Sequence, residues 1–102
     1  MLRILSNMIG YHVIGRGAAA GRVFDFYLDD RSWRLRYLVV ETGAWFNRHR
    51  VLLPPGALDS FPADSRCLHV SLSAEEVRRS PGMDSEMPVS RRQELSVKSL
   101  LG

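Results

Sequence analysis

The sequence predicts a mainly β protein, a small antiparallel β-barrel of about five or six strands with one or two short C-terminal helices. Three observations predict it. Short apolar runs with period-two alternation recur between residues 11 and 72. Brief turns rich in Gly, Pro and Asp separate them, and short loops join neighbours antiparallel. From Ser73 the pattern changes to helix-capping motifs. Closure into a barrel removes exposed sheet edges, which a domain of 102 residues otherwise struggles to protect. The division expected is a barrel over residues 1–72 and a helical extension over 73–102. The alternative is an open β-sandwich with both helices on one side.

The stretch Trp33–Thr42 is the expected organiser. Trp33, Leu35, Tyr37 and Val39 alternate with Arg34 and Arg36. From Leu38 both faces are apolar, so this half should be covered on both sides. Before it, Ser6–Gly10 reads as one helical turn, capped by Ser6 and ended by Gly10. Tyr11–Ile14 is a short strand, and Gly15–Gly21 a flexible connection with glycines at positive φ. Val23–Leu28 is the second strand, joined through the turn Asp29–Ser32 to the Trp33 strand. After the loop Gly43–Arg48, His49–Leu53 returns as a strand and stops at Pro54-Pro55, since proline cannot donate to a ladder. Pro55–Leu58 suits one helical turn. Arg66–Leu72 is the last strand, with Leu68, Val70 and Leu72 on its core face. Ser73-Ala74-Glu75-Glu76 is a capping box that opens a helix to about Arg79. Pro81–Val89 reads as a loop, and Ser90-Arg91-Arg92-Gln93 opens a second helix toward Leu100.

Composition limits the function classes. No apolar run reaches the roughly 18–20 residues that cross a bilayer, and Met1–Ser6 is too short a start for a signal peptide. The single Cys67 has no internal disulfide partner, so a cytoplasmic location is expected. The net charge is +3, and eight of the arginines lie in residues 1–50.

Several of these segments carry a family likeness. Gly21-Arg22-Val23-Phe24-Asp25-Phe26-Tyr27-Leu28-Asp29-Asp30, then Trp33–Gly43 and Val51-Leu52-Leu53-Pro54, resemble the PRC-barrel family. That family takes in the cytoplasmic domain of the photosynthetic reaction centre H subunit, the C-terminal domain of a ribosome maturation factor and small stand-alone bacterial proteins. Val70–Pro81, with Pro88–Arg91 and Glu94, is similar to the tail of the stand-alone members. The resemblance implies a PRC-type barrel used as a docking module rather than an enzyme.

The residues point the same way. His12, His49 and His69 are scattered one per strand, without metal-ligand spacing, so no metal or cofactor is expected. Cys67 and His69 share a strand face but lack an orienting third group. The Gly15–Gly21 segment lacks the lysine of a phosphate loop. Asp25, an acid between two phenylalanines, should accept hydrogen bonds in a structural role. The partner-binding candidates are Trp45 and Phe46, two adjacent aromatics in a tight loop, with Arg48 and Arg50 beside them. Arg34 and Arg36 on the neighbouring strand could extend that patch. The expected partners are other proteins, a second copy of the chain first among them, with peripheral association to a membrane complex. Ribosome or RNA association through the arginine-rich half is the alternative.

Overall fold

A computed structural model of the chain describes residues 2–43, 47–60, 66–82 and 94–101. It contains helix α1 (Leu2–Asn7), strands β1 (His12–Gly15), β2 (Ala18–Asp29), β3 (Leu35–Thr42) and β4 (His49–Leu53), a 3₁₀ turn at Pro55–Ala57, strands β5 (Leu58–Ser60) and β6 (Cys67–Val70), helix α2 (Ala74–Arg78), strand β7 (Glu94–Ser96) and helix α3 (Val97–Leu101). The fold is mainly β, as expected. The hydrogen-bonded order is β4-β3-β2-β1-β6-β5, and β7 adds to β2.

The organiser is β2 rather than β3. This 12-residue strand serves three partners. Arg22–Leu28 pairs with β3 on one side. On the other, Ala18–Arg22 pairs with β1 and Tyr27–Asp29 pairs with β7. The segment expected to be a flexible connection is therefore mostly strand. Only Arg16-Gly17 forms the turn, with Gly17 at φ 79°. The weak strand preference of Ala18–Ala20 is overridden by pairing with β1. Gly15 is needed for proximity instead. A Cβ there would lie 2.6 Å from the Leu72 carbonyl oxygen, which already accepts the Arg16 N–H at 2.9 Å.

All pairings are antiparallel except β1 with β6, which is parallel. Short loops dictate antiparallel pairing only between consecutive strands, and these two are far apart in sequence. Among the described residues the terminal strands β4 and β5 do not pair, so the sheet is not closed by a ladder. The short Pro54–Ala57 connection links them covalently. Pro54 also accepts the Ala57 N–H at 3.0 Å. The free edge of β4 is met by the segment after α2, where Pro81 accepts the Leu52 N–H and Gly82 bridges Val51.

Two bulges set which side chains face inward. Val23 opposes Val40 while Asp25 opposes Val39, so Phe24 is an extra residue. Tyr27 opposes Tyr37 while Leu28 opposes Leu35, so Arg36 is another. The main core holds Val23, Phe26, Leu28, Leu38, Val40, Val51, Leu53, Leu68 and Val70, all within 2% of full burial. Leu5 and Met8, together with Val77 of α2 and Val97 of α3, join that core. A second cluster of Tyr27, Val39 and Leu52, with Phe24 and Tyr37 against it, lies on the opposite face. The expectation that the middle of β3 is covered on both sides holds: Leu38, Val39 and Val40 are all fully buried.

The helical segments at both ends of the chain differ from the sequence reading. Helix α1 spans Leu2–Asn7, so Ser6 lies within it and donates to the Arg3 carbonyl at 2.9 Å instead of capping it. Gly10, at φ 94°, does end the turn that follows. Near the C-terminus the pattern Ser90–Gln93 lies outside the described residues, and Glu94–Ser96 is a strand, not helix. Helix α3 starts only at Val97, where the Ser96 hydroxyl accepts the Ser99 N–H at 3.3 Å. By contrast, α2 has the predicted capping box. Ser73 accepts the Glu76 N–H at 3.1 Å and Glu76 accepts the Ser73 N–H at 2.9 Å.

Candidate functional site

The tip between β2 and β3 is built around Asp29. Its carboxylate accepts the Arg31 N–H at 3.1 Å and the Ser32 hydroxyl at 3.0 Å. Its carbonyl accepts the Trp33 N–H at 2.9 Å, and its own N–H donates to Arg34 at 2.8 Å. The Arg31 N–H and the Ser32 hydroxyl hold this carboxyl below the ordinary aspartate range, and the Arg36 charge adds to the effect. Asp29 therefore does the turn work expected of it.

The tip delivers Trp33 to solvent. Trp33 is not the first inward residue of a strand, as alternation suggested. It precedes β3, adopts the left-handed region at φ 60°, and is 50% exposed. The strand begins only at Leu35, so alternation does not reach Trp33, and the Arg36 bulge further puts Leu35 against the main core and Tyr37 against the second cluster. Arg34 and Arg36 lie beside Trp33 and are exposed.

The other expected arginines stand at the far end of β3. Glu41 takes Arg50 at 3.5 Å and Arg48 at 3.9 Å. The Arg50 guanidinium also lies over the Phe24 ring, 3.8 Å from its centroid, and the Lys98 ammonium is 3.4 Å from that centroid. Arg36 and Glu41 are five positions apart along a strand, roughly 17 Å at the usual rise. The four arginines thus form two groups, Arg34 with Arg36 and Arg48 with Arg50, rather than one patch. Trp45 and Phe46 lie outside the described residues.

One arrangement escaped the sequence reading because it depends on register. Cys67, His12, Arg22, Glu41 and Arg50 are successive partners across five strands. They form a polar row on the outer face of the sheet, while their neighbours Val13, Val23, Val40 and Val51 point into the core. Two clefts open beside this row. One, of about 410 Å³, is lined by Arg22, Glu41, Thr42 and Arg48 among others. The second, of about 550 Å³, is lined by Asn7, Ile9, Tyr11, His12, Arg22 and Arg66. Local patterning places these residues on five separate elements with no shared motif.

Asp25 has the structural role expected. It is 4% exposed and accepts the Phe26 N–H at 2.8 Å, the Lys98 N–H at 3.1 Å and the Ser96 hydroxyl. Among the described residues no three His, Cys, Asp or Glu side chains stand together as metal ligands do. No described helix is long and apolar enough to cross a membrane.

No curated protein matches the chain. The profile of the PRC-barrel domain matches residues 3–73, from α1 through β6 to the capping residue of α2. That match covers most of the chain, and with the β-rich sheet it settles the resemblance carried by Gly21–Asp30, Trp33–Gly43 and Val51–Pro54. The chain belongs to the PRC-barrel domain family.

Proposed function

We propose that this domain is a non-catalytic docking module that binds protein partners, including a second copy of itself, through the β2–β3 tip. One observation carries the reading: Trp33 is held half in solvent on a left-handed backbone. That conformation costs a non-glycine residue about 1–2 kcal/mol, and such strain gathers at functional positions. Tryptophan beside arginine is the composition that dominates binding energy at protein interfaces. Arg34 supplies the arginine here, and the Asp29 network fixes the tip before any partner arrives. Arg48 and Arg50 provide a second contact at the other end of the β3–β4 pair. Two separated contacts suit a protein surface, either a second barrel or the exposed part of a membrane complex.

Ribosome or RNA association is supported less well. Arg48 and Arg50 share Glu41, so their charge is partly compensated before any phosphate arrives. The test is a Trp33→Asn variant, since asparagine tolerates the same backbone. It should fold normally and lose self-association and partner binding by about tenfold or more. Unchanged assembly would contradict the docking reading. Binding to ribosomes that weakens on the order of a hundredfold from 50 to 200 mM salt would favour the RNA alternative.

A further inference from the structure

The geometry points to a binding site for a small phosphorylated molecule in the cleft between α1, β1 and β2, separate from the docking tip. This cleft of about 550 Å³ lies within the range of small-molecule sites. Its lining is one-sided in charge. Arg22 and Arg66 carry it, His12 lines the cleft beside them, and among the described residues no aspartate or glutamate does. The backbone brings them together. His12 is the cross-strand partner of Arg22 on β2, and its N–H donates to the Arg66 carbonyl at 3.2 Å. The three therefore meet although they lie far apart in sequence.

The charges of Arg22 and Arg66 are not spent within the fold. Arg16, Arg48, Arg50 and Arg79 each have a carboxylate within 4 Å, but among the described residues Arg22 and Arg66 have none. Glu41, beside Arg22 in register, is taken by Arg48 and Arg50. Two guanidinium groups facing one cleft suit an oxyanion with several acceptor oxygens, which they bind through charge-assisted, bidentate hydrogen bonds. The rest of the lining differs in character. Ile9 and Tyr11 are half-buried against the core and present apolar and aromatic surface, and Asn7 adds an amide. The cleft thus offers an anion end and an apolar end, which matches a phosphate carried on a flat or apolar body, such as a nucleoside monophosphate.

The test is a titration of the ¹⁵N-labelled full chain with pyrophosphate and with adenosine monophosphate, followed by amide and arginine side-chain shifts. Saturable shifts at Asn7, His12, Arg22 and Arg66 are expected. Arg22→Gln and Arg66→Gln should each weaken binding about tenfold or more, while Arg50→Gln leaves it unchanged. A dispersed amide spectrum for each variant shows that it folds. No saturable shift up to about 10 mM ligand would overturn the site, since weaker binding has no specific content. Shifts spread evenly over all arginines would overturn it as well, as the mark of unspecific charge. A single-stranded RNA that binds the same residues far more tightly than the mononucleotide would overturn the small-molecule source.

Discussion

The Ser96 hydroxyl donates to the buried Asp25 carboxylate across 71 positions of sequence. This contact joins the C-terminal segment to the strand that organises the barrel. The same carboxylate accepts the Lys98 N–H in the first turn of α3, so an acid on β2 caps a helix at the other end of the chain. Next to it β7 pairs with Tyr27–Asp29 and Val97 is fully buried in the main core.

Asp25→Ala should therefore release residues 94–101 and destabilise the domain. It leaves the Phe26 and Lys98 N–H groups without their acceptor, at about 1–3 kcal/mol for each buried group left unpaired. A loss of about 2–4 kcal/mol in urea unfolding is expected. Amide exchange should accelerate first at residues 94–101. Ser96→Ala should cost less, about 1 kcal/mol, because the two backbone donors keep their partner.

Gly15→Ala should cost about 1–3 kcal/mol, because its Cβ would press on backbone atoms of Leu72, Ser73 and Ala74, which cannot swing aside as a side chain does. Gly56→Ala meets nothing within 4 Å and should stay within about 0.5 kcal/mol of the parent. Thermal melts of the two variants side by side check this.

The tip and the α2 cap should both weaken in acid. Asp29 is held below its ordinary range first by the Arg31 N–H, and Glu76 first by the Ser73 N–H with the Arg16 guanidinium adding to it. A carboxyl whose folded value is lowered stabilises the fold fully above its unfolded value. That stabilisation is lost as pH falls through the folded value. Stability should therefore decline as pH falls below the ordinary carboxylate range. Glu76→Gln should flatten the part of the decline that belongs to α2. Ser73→Ala should cost about 1 kcal/mol at neutral pH. Both groups are solvent-exposed, so added salt should weaken the Arg16–Glu76 part.

What could be read from the sequence was local, and what could not was set by partners far along the chain. The Ser73–Glu76 capping box is complete within four residues, and Leu68 and Val70 follow plain alternation, so each was legible. The inward face of β3 was not. Alternation carries a single phase, while the bulges at Phe24 and Arg36 shift that phase by one residue relative to the partner strand. Leu35 and Tyr37, read as one face, therefore pack on opposite faces, and Trp33, read as part of the strand, precedes it and stands outside. Glu94–Ser96 has no strand pattern of its own and is a strand only because β2 offers an edge. Among the candidate binding residues, Arg48 and Arg50 come together on Glu41 as expected of neighbours. Arg34 and Arg36 were grouped with them because they belong to the neighbouring strand segment, and the length of β3 separates the pairs. The row from Cys67 through His12 and Arg22 to Arg50 required the register of five strands, including a parallel pair that no short loop announces.

The docking account is tested most directly by sedimentation of the full chain in lysate of its own cells, parent beside Trp33→Asn, at low and high salt. The account predicts that the parent travels well above its 11.6 kDa chain mass at both salt levels and that the variant falls back toward it. Identical profiles for parent and variant, or a heavy species that is ribosomal and vanishes with salt, would contradict it.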